Sequence, residues 1–292
     1  MQLSETHIAK ILENPIRFQE YAVGIFNTTP TKSAIKKAIK KELIYIDGIL
    51  ATTSKYISGG EKIDLYQSEK SSTFKRLKLD LEVLFEDDYL AIIYKPAGIL
   101  VSGNKFVTIA NGLSQNLQKS NQIDTVKPQP IHRLDYATSG VLVIGKTSSA
   151  ILKLGKLFEN KQIEKIYYAV TIGKMNTTGS IDFTIDEKKS HTAYEVLQSE
   201  TSERFKYLNL VKLKPKTGRK HQLRKHLSAI GNQILGDKEY GNSTLFLNGK
   251  GLYLHASTLK FIHPFTKENI SITKELPRKF SKIFEFNNQN KE

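Results

Sequence analysis

The segment Ile131-His132-Arg133-Leu134-Asp135-Tyr136-Ala137-Thr138-Ser139-Gly140 constrains this chain most, because it runs straight into the apolar stretch Val141-Leu142-Val143-Ile144. Pro128 and Pro130 precede it and discourage regular structure on the upstream side. The β-formers that follow are short enough for one buried strand. Asp135 is therefore expected in a loop at the mouth of a strand, where a functional group has rigid support. Arg133, two residues earlier, is placed to meet that carboxylate or a phosphate. The residue types also admit a plain turn, with Asp135, Thr138 and Ser139 bonding their own backbone.

Charge narrows the partners. The 292 residues carry forty-four Lys and Arg against twenty-nine Asp and Glu, a formal charge of +15. Residues 1–78 hold +5 of that excess, so this is not a neutral protein with one basic tail. A polyanion is the natural partner, and nucleic acid is favoured over a membrane surface because no amphipathic helix carries large exposed hydrophobes. No apolar run approaches the roughly 20 residues a spanning helix needs, and the first ten residues lack a secretory h-region. The absence of cysteine excludes disulfides and thiolate metal sites and suits a reducing compartment, so the cytoplasm is expected. The seven histidines show no metal-site spacing, and no metal or cofactor is expected.

Residues 1–30 carry little pattern beyond a short helix expected over Glu5 to Leu12, and are left unassigned. From Thr31, Ala34, Ile35, Ala38, Ile39 and Leu43 mark one apolar helix face while Lys36, Lys37, Lys40 and Lys41 fall on the other. A hairpin through Asp47-Gly48 follows, then a strand from Lys62 to Tyr66. This arrangement over residues 31–70, with a start reaching back toward 15, resembles the S4 RNA-binding domain. The resemblance implies that Lys36, Lys37 and Lys40 contact phosphate as mobile point charges. Residues 71–80 read as a linker and 81–285 as the larger domain, ending in a frayed polar tail after Lys279 that includes 286–292.

In the larger domain a strand over Tyr89 to Tyr94 ends at Lys95-Pro96-Ala97-Gly98, a sharp turn expected to expose Lys95 at its lip. Ser148 to Glu159 has helical spacing. The strand Glu164 to Val170 sends Tyr167 and Tyr168 to opposite faces. Further strands lead to Thr217-Gly218-Arg219-Lys220-His221-Gln222-Leu223-Arg224, where Thr217 is the expected N-cap and Leu223, Leu227 and Ile230 the buried stripe. Arg219, Lys220 and His221 then sit near the positive end of a helix, a place for an anion.

Taken together these stretches resemble the RluA family of pseudouridine synthases. The resemblance rests on Lys95-Pro96-Ala97-Gly98, on His132-Arg133-Leu134-Asp135 with Thr138-Ser139-Gly140, and on Lys165-Ile166-Tyr167. It continues through Thr217-Gly218-Arg219, His221-Gln222-Leu223-Arg224, His226, Gly236-Asp237 and Leu254-His255-Ala256. It implies an α+β fold, with a mixed, mostly antiparallel central sheet, flanking helices and a catalytic cleft. It also implies Asp135 as the catalytic aspartate, Tyr167 as the tyrosine that stacks on the base, and Arg224 as the arginine paired with the aspartate. Arg133, His132, Lys95, Arg219, Lys220 and His221 are then candidate RNA contacts. The expected substrate is RNA, large-subunit ribosomal RNA ahead of transfer RNA, and the expected state a monomer. The competing readings are a non-catalytic, ribosome-associated RNA-binding protein and a base-releasing glycosylase.

Overall fold

A computed structural model describes residues 1–67, 77–245, 247 and 249–284. The chain divides into two compact units, Met1–Arg76 and Leu77–Glu292.

The N-terminal unit is built on a four-stranded antiparallel sheet. Strand β1 (Gln2–Ile8) pairs with β6 (Lys62–Gln67). Between them come β2 (Ile16–Arg17), α1 (Phe18–Tyr21), α2 (Lys32–Lys40), β3 (Ile44–Ile46), β4 (Ile49–Leu50) and β5 (Tyr56–Ile57). The sheet order is β1-β6-β3-β4, and β2 pairs with β5. The Asp-Gly hairpin forms as expected between β3 and β4, with Asp47 and Gly48 both at positive φ (50° and 76°). Thr31 caps α2, its side chain accepting from the Ala34 amide at 3.2 Å. Residues 1–30 do more than their composition suggests. The expected helix over Glu5 to Leu12 is instead strand β1, held by pairing with β6 and by Thr6 Oγ1 donating to Asp64 at 2.6 Å. Phe18, Ala22 and Phe26 join Ile35, Ile44 and Ile63 in this unit's core.

The larger unit carries one ten-stranded sheet. Its elements are β7 (Val83–Glu86), β8 (Leu90–Lys95), α3 (Ile109–Asn116), β9 (Thr125–Pro130), β10 (Ser139–Thr147), α4 (Ser148–Glu159), β11 (Glu164–Ile172), β12 (Thr178–Ile185), β13 (Lys188–Ser202), β14 (Lys206–Pro215), α5 (Gln222–Ala229), β15 (Leu254–Ile262), β16 (Asn269–Thr273) and α6 (Arg278–Ser281). The main order is β12-β13-β14-β11-β15-β10-β8-β7, with β16 on β15 and β9 on β10. Every pairing is antiparallel except β10 with β15, which lasts two residue pairs, Ser139↔His255 and Gly140↔Ala256. That short seam joins the two halves of the sheet, and the Asp135 loop enters at its end. Gly140 makes the seam possible: at φ 138°, a Cβ there would lie 2.2 Å from the Ala256 carbonyl oxygen. The mixed, mostly antiparallel sheet with flanking helices matches the expected α+β class.

All nine residues of β10 are buried. Full burial of Val141, Leu142, Val143 and Ile144 stabilises the unit by about 1.5–3 kcal/mol each. Helix α4 covers one face through Ala150 and Leu154, and α3 packs elsewhere through Ile109 and Leu113. Helix α5 adds Leu223 and Leu227 to the core of the β11–β14 half, whereas Ile230, expected in that stripe, is 41% exposed.

Two further expectations change. Pro128 and Pro130 do not prevent a strand, because β9 lies at an edge where a missing amide costs no ladder bond. The stretch after Lys279 is not frayed throughout, since Phe280 and Phe284 are buried in the core. Leu79, expected in the linker, packs over Gly112, and its carbonyl accepts from Gln115 and Asn116 at 2.8 Å each. Residues 71–76 of the linker and the tail, 286–292, lie outside the described residues.

Candidate active site

The Asp135 loop is held from below by its backbone. Lys95, at the end of β8, is fully buried and donates from Nζ to the carbonyls of Thr138 (2.7 Å), Pro96 (3.0 Å) and Tyr136 (3.4 Å). The Gly98 amide donates to Tyr136 O at 2.8 Å, and the Thr138 amide closes the turn on Asp135 O at 3.1 Å. Ser139 Oγ and His255 Nδ1, both buried, are hydrogen-bonded at 2.9 Å and tie the loop's exit to β15. Lys95 is thus not the exposed RNA contact its turn suggests. A lysine can reach several carbonyls at once, and three converge here. Burial drives its pKa down to about 8, against the opposing pull of Asp135.

His132 is likewise committed to the scaffold. Its Nε2 accepts from the Val143 amide at 3.1 Å and its ring packs 4.6 Å from Phe158. Burial and then the charge of Lys165 push its pKa down to about 3, so it is a neutral acceptor rather than a cationic phosphate contact.

With its backbone fixed, the Asp135 side chain is left facing a cleft of about 300 Å³. Arg133, Lys165, Arg219, Lys220 and Arg224 line the same cleft, and Asp135 is the one carboxylate among the lining residues. The side chain of Asp135 meets the His221 ring, with Nε2 3.8 Å from Oδ1. Tyr167 reaches the cleft from β11, where the ladder to β15 shifts register between Ile166 and Tyr167. A bulge of this kind re-aims the side chain that follows. Burial, and secondarily the charge of Asp135, hold the Tyr167 hydroxyl well above its ordinary pKa, so it stays protonated. Among the described residues that hydroxyl has no hydrogen-bond partner. Lys165, two residues earlier on the same strand, also faces the cleft, and burial lowers its pKa.

The opposite wall is closed on itself. Arg224 does not pair with Asp135 as expected. Its Nε and Nη2 each donate to Asp237 at 2.7 Å, and Nη2 also donates to Glu239 at 3.1 Å. Asp237 further accepts the amides of Glu239 (3.0 Å) and Tyr240 (3.1 Å). Burial opposes ionisation of Asp237, but the Arg224 and backbone hydrogen bonds outweigh it and hold the carboxyl below its ordinary range. Arg224 is pulled the same way: burial opposes its charge, and Asp237, Glu239 and then Asp135 raise it above its usual value. The Arg224 guanidinium also sits 4.8 Å from the Tyr240 ring centre. His221 links the two walls, since its Nδ1 is 2.8 Å from the Tyr240 hydroxyl and 3.3 Å from Glu239.

Helix α5 starts later than its sequence suggests. Its cap is His221, in the left-handed region at φ 54°, and not Thr217. No side chain caps the helix start; the Gln222 side chain instead ties down the loop before it, accepting from the Arg219 amide (3.0 Å) and the Thr217 hydroxyl (2.7 Å). Arg219 turns partly toward the Lys189 carbonyl at 3.4 Å, while Lys220 and Arg133 are exposed and form no ion pair among the described residues. Lys36, Lys37 and Lys40 lie exposed along α2 in the N-terminal unit. Sequence patterning missed Asp237, Glu239 and Tyr240 as partners of Arg224 and His221. Their one local signal is the Gly236-Asp237 turn, where Gly236 takes φ 82° and a Cβ would meet Gly251 O at 2.0 Å.

Comparison with known proteins gives the constellation a family. The family model described as RNA pseudouridylate synthase matches residues 89–229, which span both the Asp135 loop and α5. An uncharacterized RNA pseudouridine synthase of Bacillus subtilis is 32% identical over 283 residues, covering 89% of this chain and 91% of the relative. The chain belongs to the RluA family of RNA pseudouridine synthases. It is accordingly an isomerase. The ribosomal large subunit pseudouridine synthase D of Buchnera aphidicola is also 32% identical, over 286 residues, covering 87% of this chain and 88% of the relative. Among solved structures, human RNA pseudouridylate synthase domain containing 4 superposes with a TM-score of 0.54 at 26% identity, covering 68% of this chain and 90% of that one. No helix of the described residues is long and apolar enough to cross a membrane.

Proposed function

We propose that this synthase converts uridines of large-subunit ribosomal RNA to pseudouridine in the cytoplasm, with Asp135 as the catalytic carboxylate. The observation that carries the reading is that Asp135 is the one carboxylate in a cleft lined also by Arg133, Lys165, Arg219, Lys220 and Arg224, with its side chain left out of the loop's hydrogen bonds. During the reaction the N1–C1′ bond of the uridine breaks and C1′ is rejoined at C5. N1 gains a proton and the C5 proton leaves, so no redox partner or group donor is consumed. Asp135 acts at the sugar and base during that exchange. Tyr167 offers a flat, protonated ring against the uracil, and its unpaired hydroxyl is free to donate to it. Arg224 works on Asp135 through space, fixed in place by Asp237.

Bringing a uridine into this cleft means taking it out of its stack, which costs a few kcal/mol. Arg133 and Lys220, exposed and unpaired, offset that cost by engaging phosphates of the displaced nucleotide. The N-terminal unit serves as an S4-like module whose Lys36, Lys37 and Lys40 hold RNA without reading its sequence. Large-subunit RNA is favoured over transfer RNA because the Buchnera relative, which aligns along most of both chains, carries that function in its name.

The test is tritium release from C5-tritiated uridine in three substrates: large-subunit ribosomal RNA, bulk transfer RNA and a pre-assembled ribosomal particle. Release from either ribosomal substrate supports the reading. Release from transfer RNA alone moves the substrate, and none from any of the three, with RNA binding intact, leaves a binding protein.

A further inference from the structure

Beside the catalytic cleft lies a second, larger groove of about 830 Å³. It runs around the ends of β14, β11 and β15 and onto β16, and it shares Lys165 and Pro215 with the Asp135 cleft. Its rim is strongly basic. Lys161, Lys214, Lys216 and Lys260 line it with Lys165, and Glu164 is the one carboxylate among the lining residues.

Glu164 is partly occupied by Lys214 at 3.6 Å. The ammonium groups of Lys161, Lys216 and Lys260 make no hydrogen bond or ion pair with any described residue, and all three side chains are exposed. Three uncompensated cations around one groove repel each other unless an anion is present. Ile163, Phe261 and Ile270 beneath the rim are packed into the core, and the apolar side chain left open in the groove is Ile262, 57% exposed. Cations along a rim and apolar surface between them match a single nucleic-acid strand, whose phosphates meet the first and whose bases cover the second.

We propose that this lysine groove holds the single-stranded RNA that flanks the target uridine, so that the strand passes Lys165 as it enters the catalytic cleft. This inference rests on the functional reading above. Continuity through Lys165 and Pro215 favours the substrate's own strand over an unrelated anion, because a nucleotide held in the cleft brings its neighbour to the mouth of the groove.

The test uses the full chain with K161A, K216A and K260A combined, none of which touches Asp135, Tyr167 or Arg224. RNA affinity is measured against salt, alongside the kcat and KM of tritium release. A control removes Lys174 and Lys206, exposed at the opposite ends of β11 and β14. Loss of three phosphate contacts to a single strand lowers the slope of log affinity against log salt by roughly 2. The expected result is that lowered slope, KM raised tenfold or more, kcat within twofold of wild type, and little change in the control. An unchanged salt slope, or an equal loss in the control, overturns the groove. If the wild type releases no tritium from any RNA, the functional reading fails, and the salt slopes still judge the groove by themselves.

Discussion

The two walls of the cleft carry similar residue types and use them differently. On the α5 side, Arg224, Asp237, Glu239, Tyr240 and His221 bond one another, so their polar groups are largely consumed before any substrate arrives. On the β10–β11 side, Asp135, Tyr167, Lys165 and Arg133 face the cavity with little local compensation. The difference teaches how the site divides its labour. On the proposed function, the closed wall fixes a field and a shape, and the open wall is left to react. It also implies that substitutions on the two walls differ in kind: on the open wall they cost rate alone, and on the closed wall they cost stability first, with rate following where Arg224 is lost.

Asp135→Asn breaks the open wall most sharply. Tritium release is expected to fall roughly 10⁴-fold, with RNA affinity within twofold of wild type, measured by filter binding on the same preparation. Arg224→Ala breaks the closed wall instead. It leaves Asp237 buried without its partner and is expected to destabilise the protein by about 3–5 kcal/mol in urea unfolding. Arg224→Lys recovers only part of that, because a single ammonium cannot reproduce the two-pronged contact.

Acid sharpens the comparison from the scaffold beneath the loop. Burial lowers the His255 pKa to about 4, whereas in the unfolded chain it titrates near 6.5. Between those values the unfolded chain binds more protons than the folded one. The His255 share of stability is therefore intact above pH 6.5 and falls by ~3 kcal/mol as pH drops to 4. Urea midpoints against pH check this, and the fall is expected to shrink in His255→Gln.

Smaller effects separate Tyr167 from Lys95. Tyr167→Phe removes a hydroxyl with no internal partner, so tritium release is expected to drop roughly 10²-fold while stability stays within ~1 kcal/mol of wild type. Lys95 loses its proton near pH 8 rather than near 10.5, and with it part of its grip on the loop carbonyls. A few-fold decline in kcat is expected as pH rises through 8. In Lys95→Met the pH profile should be flat there, at a lower rate throughout.

Much of this was legible in the sequence because it is local. The loop-to-strand passage at Asp135, the alternation that separates Tyr167 from Tyr168, and the Asp47-Gly48 hairpin each depend on neighbours within a few positions. What was illegible is what long-range packing decides. Lys95 reads as an exposed lip residue, because no pattern around it shows that the 136–138 carbonyls will close over it. Arg224 finds Asp237 thirteen residues downstream, and only the folded Gly236 turn brings the two together. Pro128 and Pro130 signal an interruption, and whether they interrupt depends on which edge of the sheet β9 occupies. The β1 strand is fixed by a partner nearly sixty residues away rather than by its own periodicity.

On the proposed function, the Asp135 side chain serves the reaction and not the turn that holds it. The turn bond runs through the Asp135 carbonyl, and the carboxylate's one ion-pair contact among the described residues is the long 3.8 Å approach to the His221 ring. Urea unfolding of Asp135→Ala tests this most directly. The expected result is a stability within ~1 kcal/mol of wild type in a protein that no longer releases tritium. A loss of ~2 kcal/mol or more would make Asp135 a structural turn residue and would contradict the account.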